Sequence, residues 1–203
     1  MMPLWLAEAP IVLASKSVVR HAMLRDAGLA VEIVPADIDE RAIEQRAGLH
    51  DPGEIAALLA REKARAISGG LTDRLVLGAD QTLALGERRF SKPTDRAAAR
   101  AQLEALSGRT HELHSAVALL RGGTVLFEHR EVARLTMRAL SDRFLDAYLD
   151  AIGAAVTTSV GGYQLEKAGI QLFERIDGDH FVILGLPLLA LLRFLRHEGW
   201  LAA

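Results

Sequence analysis

The spacing of apolar runs and polar breaks along the chain predicts alternating strands and helices. Ile11-Val12-Leu13-Ala14 reads as a short strand ending in Ser15-Lys16-Ser17, followed by a helix from Val18 to Ala27 that stops at Gly28. Leu29 to Val34 resumes a strand pattern, and Pro35-Ala36-Asp37-Ile38-Asp39-Glu40 follows it. Pro52-Gly53-Glu54 introduces a helix from Ile55 to Ser68, closed by Gly69-Gly70. Leu75-Val76-Leu77-Gly78-Ala79 is the clearest buried strand and delivers Asp80 and Gln81 at its carboxyl end, where open α/β sheets usually place ligands.

Beyond a turn at Gly86, a short strand leads to Ser91-Lys92-Pro93 and an alanine-rich helix from Asp95 to Leu106. Thr110 to Leu120 and Thr124 to Thr136 read as antiparallel strands joined across Arg121-Gly122-Gly123, with a helix from Ser141 to Ala151 after them. Gly161 to Glu166 opens a polar loop, and Ile170 to Ile176 looks extended. The longest apolar stretch, Phe181 to Leu192, is interrupted by Gly185 and Pro187 and falls short of the about 20 residues a bilayer requires. It reads as a buried strand, a turn and a helix whose Arg193, Arg196 and His197 suit a carboxyl end. The expectation is an α/β fold with a mixed sheet, since the central hairpin excludes a purely parallel one.

Composition narrows the function. A chain of 203 residues with 50% hydrophobic content can bury one substantial core or two small lobes sharing a cleft, and it reads as one folding unit, 1–203. A net charge of -2, with no basic concentration, favours a small-molecule substrate over a nucleic-acid polymer. The absence of cysteine excludes disulfides, thiolate catalysis and cysteine-ligated zinc. It is compatible with a reducing compartment, and a cytoplasmic location is the default expectation. Met1 to Pro10 carries no basic start followed by a long apolar run, so it does not read as a secretory signal.

Ser15, Lys16 and Ser17 stand at a strand-to-helix transition with Arg20 one turn on, an arrangement able to bind phosphate through free backbone N–H groups, hydroxyls and positive charge. The competing explanation is an ordinary serine cap. Asp37, Asp39, Glu40 and Asp80 supply oxygen ligands of the kind Mg²⁺ or Mn²⁺ requires. The commoner explanation of such an isolated Asp-x-Asp-Glu is that Asp37 and Asp39 shape a turn and Glu40 begins a helix. Asp80, ending a strongly apolar strand, has no comparable packing explanation and is the best catalytic candidate. Lys63 and Lys92 would face a triphosphate, although each alone also reads as a solvated lysine. His111 and His114 fall on opposite faces of a strand and make no metal pair.

In order, Leu13-Ala14-Ser15-Lys16-Ser17 with Arg20, Asp37-Ile38-Asp39-Glu40, Ala60-Arg61-Glu62-Lys63-Ala64, Gly78-Ala79-Asp80-Gln81-Thr82, Ser91-Lys92-Pro93, Leu106-Ser107-Gly108-Arg109-Thr110-His111 and Gly185-Leu186-Pro187-Leu188 resemble the Maf family of nucleotide pyrophosphatases. The resemblance runs from Ile11 to about Leu195, nearly the whole chain. It implies an elongated, mixed, twisted sheet flanked by helices, related to the inosine-triphosphate pyrophosphatases, with a central cleft for a nucleotide and a divalent cation. It implies Asp80 as general base, Glu40 and Asp80 toward the metal, and Ser15, Arg20, Lys63, Lys92, Gln81 and Glu166 toward the substrate. Glu166 falls at a further functional position, and Glu166 with Gln81 looks like the branch associated with modified purine nucleotides such as 7-methyl-GTP. Lys16, Val18, Val19 and Lys167 depart from the glycine, proline, arginine and glycine that family members commonly carry there.

The reaction so implied is metal-dependent hydrolysis of a nucleoside triphosphate to monophosphate and pyrophosphate, a sanitising activity if modified nucleotides are preferred. The resemblance also allows a homodimer. Two alternatives stay open: a nucleotide-binding regulator of cell division and septum formation with little or no turnover, and a phosphatase acting on sugar phosphates.

Overall fold

The computed structural model describes residues 4–203, so the first three residues of the Met1–Pro10 segment lie outside it. The elements, in chain order, are β1 (Ile11–Leu13), α1 (Val18–Asp26), β2 (Val31–Ile33), α2 (Glu40–Ala47), α3 (Pro52–Ser68), β3 (Val76–Leu85), β4 (Arg88–Phe90), α4 (Arg96–Leu106), β5 (Thr110–Arg121), β6 (Thr124–Met137), α5 (Asp142–Ile152), β7 (Phe173–Asp177), α6 (His180–Ile183) and α7 (Leu188–His197). Short 3₁₀ turns fill Gly153–Thr157, Val160–Gly162 and Ala168–Leu172.

The sheet is mixed, as expected. Hydrogen-bonded neighbours among its 7 strands run β2-β1-β3-β5-β6-β7, with β4 beside β3. Strand β1 is parallel to β2 and to β3, whereas β3–β4 and β6–β7 are antiparallel. Only Gly122 and Gly123 separate β5 from β6, which forces a hairpin, and both take positive φ. The chain divides into two compact units, one made of 1–81, 115–131 and 180–203, the other of 82–114 and 132–179. Strands β3, β5 and β6 each contribute residues to both.

In the first unit, one apolar cluster lies between the β1–β3 strands and helices α1 and α7, built on Ile11, Leu13, Leu24, Leu77, Leu119 and Leu191. A second, built on Val12, Val76, Ala116, Ala118 and Leu120, receives α3 through Ala56, Ala60 and Ala64. That face of α3 is small by design of its sequence: a four-residue spacing places the alanines in one row. In the second unit, Leu103, Leu106 and Leu149 are buried beneath α4 and α5, and Arg100 joins Asp142 and Asp146 across the two helices. His111 is fully buried there, with its Nε2 2.7 Å from the Tyr163 hydroxyl, and burial lowers its pKa to about 4.

Helix starts were readable because their caps are local. Ser17, Asp39, Asp51, Asp95 and Ser141 each accept a hydrogen bond from a backbone N–H of the first turn. Three expectations need correction. Strand β3 continues to Leu85, so Asp80 and Gln81 sit within it rather than at its carboxyl end. The hairpin with β4, paired at Leu83–Phe90, is what extends it. Phe181 to Leu184 is not a strand; His180–Ile183 forms a helical turn, and a short apolar run does not by itself distinguish the two. Ile170 to Leu172 is 3₁₀, with extended backbone starting only at Phe173. Among the described residues, no helix is long and apolar enough to cross a membrane.

Helix α3 touches β3 at Gly78, where an added Cβ would stand 1.9 Å from the Ala60 carbonyl oxygen and 2.8 Å from the Ala64 nitrogen. Neither obstacle is a flexible side chain, so the helix as a body would have to retreat. Gly78→Ala is expected to lower stability by about 3 kcal/mol or more, measured by urea unfolding. An unchanged midpoint would mean that the helix is free to shift.

Candidate active site

The close α3–β3 packing delivers Lys63 to Asp80. The lysine Nζ lies 2.5 Å from Asp80 Oδ1 and 2.8 Å from Glu40 Oε1, so one ammonium joins two carboxylates. Glu40 reaches it from the first turn of α2, started by Asp39, whose carboxylate accepts from the Ala42 N–H at 3.0 Å. Asp39 therefore caps α2, and Glu40 begins that helix, as its competing reading had it. Asp37 is exposed in the preceding segment.

The two side chains are enclosed to the same degree, Asp80 at 12% exposure and Lys63 at 13%. Burial raises the Asp80 pKa above the usual carboxylate value; Lys63 and Arg20 pull it down, and Glu40 pushes it further up. Burial prevails, so this carboxylate is a stronger proton acceptor than one in water. The folded value lies above the ordinary 3.8. The native state thus holds that proton more tightly than the unfolded chain, and stability falls as pH rises from 3.8 through the raised value.

Arg20 completes the positive side. Its Nε donates to the Gly185 carbonyl at 2.8 Å, and its Nη1 donates to the Ala79 carbonyl at 2.9 Å and to Ser15 Oγ at 3.4 Å. Ser15 Oγ also accepts from the Ser17 N–H at 3.2 Å, while the Ser17 hydroxyl caps α1. The capping reading of this loop thus falls to Ser17, and Ser15 is the serine that meets Arg20. Burial lowers the Arg20 pKa while Asp80 and Glu40 raise it. Lys16 is exposed, and Val18, at the first position of α1, is 78% exposed.

Gln81 follows Asp80 in β3 and therefore projects from the other face of the sheet. Its Nε2 lies 3.0 Å from Ser115 Oγ, 3.1 Å from the Val182 carbonyl and 3.0 Å from the Ile183 carbonyl. Ser115 Oγ donates to the Val182 carbonyl at 2.7 Å. The structure thus groups Ser15, Arg20, Glu40, Lys63 and Asp80 in the first unit and turns Gln81 toward α6. Lys92 and Glu166 belong to the second unit, and both are exposed. Ser115 and the carbonyls of Ala79 and Gly185 were missed from the sequence. A serine inside an apolar strand was the one available signal; backbone acceptors leave none.

Oxygens of two carboxylates, Glu40 and Asp80, converge on the Lys63 ammonium. Among the described residues, no group of three or more His, Cys, Asp or Glu is placed to hold a metal. This donor set fits Mg²⁺ shared between one or two carboxylates and substrate phosphates, not a closed protein cage.

A family model described as "Maf-like protein" matches residues 10–198. A nucleoside triphosphate pyrophosphatase of Rhodopseudomonas palustris is 58% identical over 99% of this chain and 100% of its own length. A protein of the same name in Bradyrhizobium diazoefficiens is 57% identical over 99% of this chain and 100% of its own. A 7-methyl-GTP pyrophosphatase of Mesorhizobium japonicum is 53% identical over 93% of this chain and 96% of its own. A solved HAM1 protein from Coxiella burnetii matches 63% of this chain and 72% of its own, with 21% identity and a TM-score of 0.41.

Removing the ammonium isolates its effect on Asp80. In Lys63→Met, the Asp80 carboxyl is expected to titrate higher than in the wild type, followed by ¹³C NMR of the side-chain carbonyl. The pH window of falling stability extends upward with it. A titration midpoint that stays put would show that Lys63 does not act on Asp80.

Proposed function

The chain belongs to the Maf family, and from that premise we propose that it is a nucleoside triphosphate pyrophosphatase, with a modified purine nucleotide such as 7-methyl-GTP as a candidate substrate. The observation that carries the reading is the buried Asp80 carboxylate, raised in pKa and paired with Lys63. Relatives named for this activity at 58% and 53% identity, covering nearly their full length, support it.

Asp80 is the general base. It takes a proton from a water that attacks the α-phosphorus; a new P–O bond forms, and the bond from that phosphorus to the bridging oxygen breaks. The electron pair leaves with the bridging oxygen as pyrophosphate, and the nucleoside monophosphate remains. A carboxylate with a raised pKa suits this task, because proton acceptance improves as the base's pKa approaches the working pH. Lys63 and Arg20 offset the charge of the phosphates, with Ser15 steadying the guanidinium. Lys92 and Glu166 are assigned to the substrate on the family pattern, Lys92 to phosphate and Glu166 to the base. Gln81 supports the site by fixing α6 behind Asp80.

Glu40 and Asp80 would hold Mg²⁺ or Mn²⁺, which when bound supplies charge neutralisation across the phosphates. The Glu40 placement at the start of α2 leaves that carboxylate 47% exposed and able to turn from Lys63 toward a cation. The proposed setting is the cytoplasm, consistent with a chain that has no cysteine to oxidise.

The test is pyrophosphate release with Mg²⁺ or Mn²⁺ across ordinary and modified nucleoside triphosphates, with orthophosphate measured in parallel. Pyrophosphate alone is expected, and Asp80→Asn should lose about a thousandfold in turnover while keeping its fold. Orthophosphate as the product would indicate a phosphatase, and nucleotide binding without turnover would indicate a regulator. An Asp80→Asn variant with full activity would remove Asp80 as the base.

A further inference from the structure

Gly185 bears on Arg20 twice, through its carbonyl and through the side chain it lacks. An arginine carries five N–H donors in a fixed planar fork. In Arg20 the Nε–H goes to the Gly185 carbonyl, and Nη1 serves the Ala79 carbonyl and Ser15 Oγ. Nη2 has no hydrogen-bond partner among the described residues and, within a largely enclosed guanidinium, keeps some surface accessible to solvent. The guanidinium is thus held at Nε and at Nη1, and Nη2 is the nitrogen left without a protein acceptor.

The Gly185 carbonyl is itself held in place. The turn that bears it is closed by the Gly185 N–H on the Val182 carbonyl at 3.0 Å and the Leu186 N–H on the Phe181 carbonyl at 3.0 Å. Gln81 and Ser115 donate to the carbonyls just before it. The acceptor that aims Arg20 is therefore a fixed point.

At Gly185, φ is +91°, a conformation that side chains disfavour, and a Cβ would stand 3.1 Å from Arg20 Nη2 and 3.4 Å from its Nε. A methyl group there would stand against Nη2, the one nitrogen left without an acceptor. We propose that Gly185 is a positioning residue for anion recognition: its carbonyl aims the Arg20 guanidinium, and its bare α-carbon keeps the Nη2 edge open to a phosphate oxygen. This rests on the pyrophosphatase reading of the site, and it assigns to Arg20 one directional phosphate contact through Nη2. The Lys63–Asp80 pair is untouched by the change, so the chemistry of proton transfer should be preserved.

The intact chain and its variants Gly185→Ala, Gly185→Asn, Arg20→Lys and the doubles of each Gly185 variant with Arg20→Lys decide it. Asparagine tolerates left-handed backbone better than most residues, so it keeps the test usable if the alanine variant fails to fold. KM and kcat would be read on the preferred nucleoside triphosphate, Kd on inorganic pyrophosphate by calorimetry, and folding by thermal unfolding. Each folded Gly185 variant is expected to raise KM and the pyrophosphate Kd roughly tenfold, the scale of one charged hydrogen bond, with kcat within about threefold and an unshifted pH profile. In the Arg20→Lys background the same substitution should change either constant by less than about twofold, because its target is already gone.

An unchanged Kd in a folded Gly185 variant, an equal loss in both backgrounds, or no pyrophosphate binding by the wild-type chain would each overturn the assignment. If the wild type binds pyrophosphate yet turns over no triphosphate, the enzymatic reading fails while the Kd comparison still decides the role of Gly185.

Discussion

An ammonium enclosed between two carboxylates is the interaction on which the rest of the site depends. Lys63 and Asp80 are both largely removed from water, and an ion in that position is costly unless its partner is close. The pair is held at 2.5 Å because α3 lies directly on β3. That approach is possible because Gly78 has no side chain and Ala60 and Ala64 have small ones. Small residues in one row of a helix thus have an electrostatic consequence: they set the distance between the charges. Burial that would otherwise favour neutral Asp80 is opposed by Lys63 and Arg20, and the balance leaves a carboxylate of raised basicity beside a cation.

Strand β3 uses its two faces for two tasks. Asp80 faces Lys63 and Glu40; Gln81, one residue on, holds the end of α6 together with Ser115. Alternation along a strand separates these tasks without separating them in sequence. The turn after α6 also meets Arg20, since the Gly185 carbonyl and the Ala79 carbonyl accept from the same guanidinium. Two backbone oxygens, from the strand and from the turn it supports, thus orient one positive group.

Much of this could be read from the chain, and the residues show why. Caps at Ser17, Asp39 and Asp95 act within three residues, so local sequence suffices to place the helix starts. Asp80 could be singled out because an acid in an apolar strand has no packing use, yet its place within the strand depended on the distant pairing of Leu83 with Phe90. The apolar run at Phe181 was ambiguous in principle, since burial of a helical turn and of a strand look alike over four residues. The convergence of Glu40, Lys63 and Asp80 had no signature beyond residue type, because it is produced by the packing of α2 and α3. Resemblance to a family brought those residues together on paper; their distances come from the fold.

Glycine's part in the site follows from the same reasoning. Gly78 and Gly185 are far apart in sequence, but each permits approach to a charged side chain, one by letting a helix close on a strand and one by leaving a guanidinium uncovered. Neither glycine carries chemistry, so an inventory of titratable groups passes over both. Lys16 and Val18 depart from the glycine and proline that such chains commonly carry, yet α1 still starts at Val18 under the Ser17 cap and Ser15 still receives Arg20. The loop therefore keeps its hydrogen-bonded frame with different side chains. What the site requires most strictly is space beside Asp80's strand and beside Arg20, which is a requirement on the backbone more than on any one functional group.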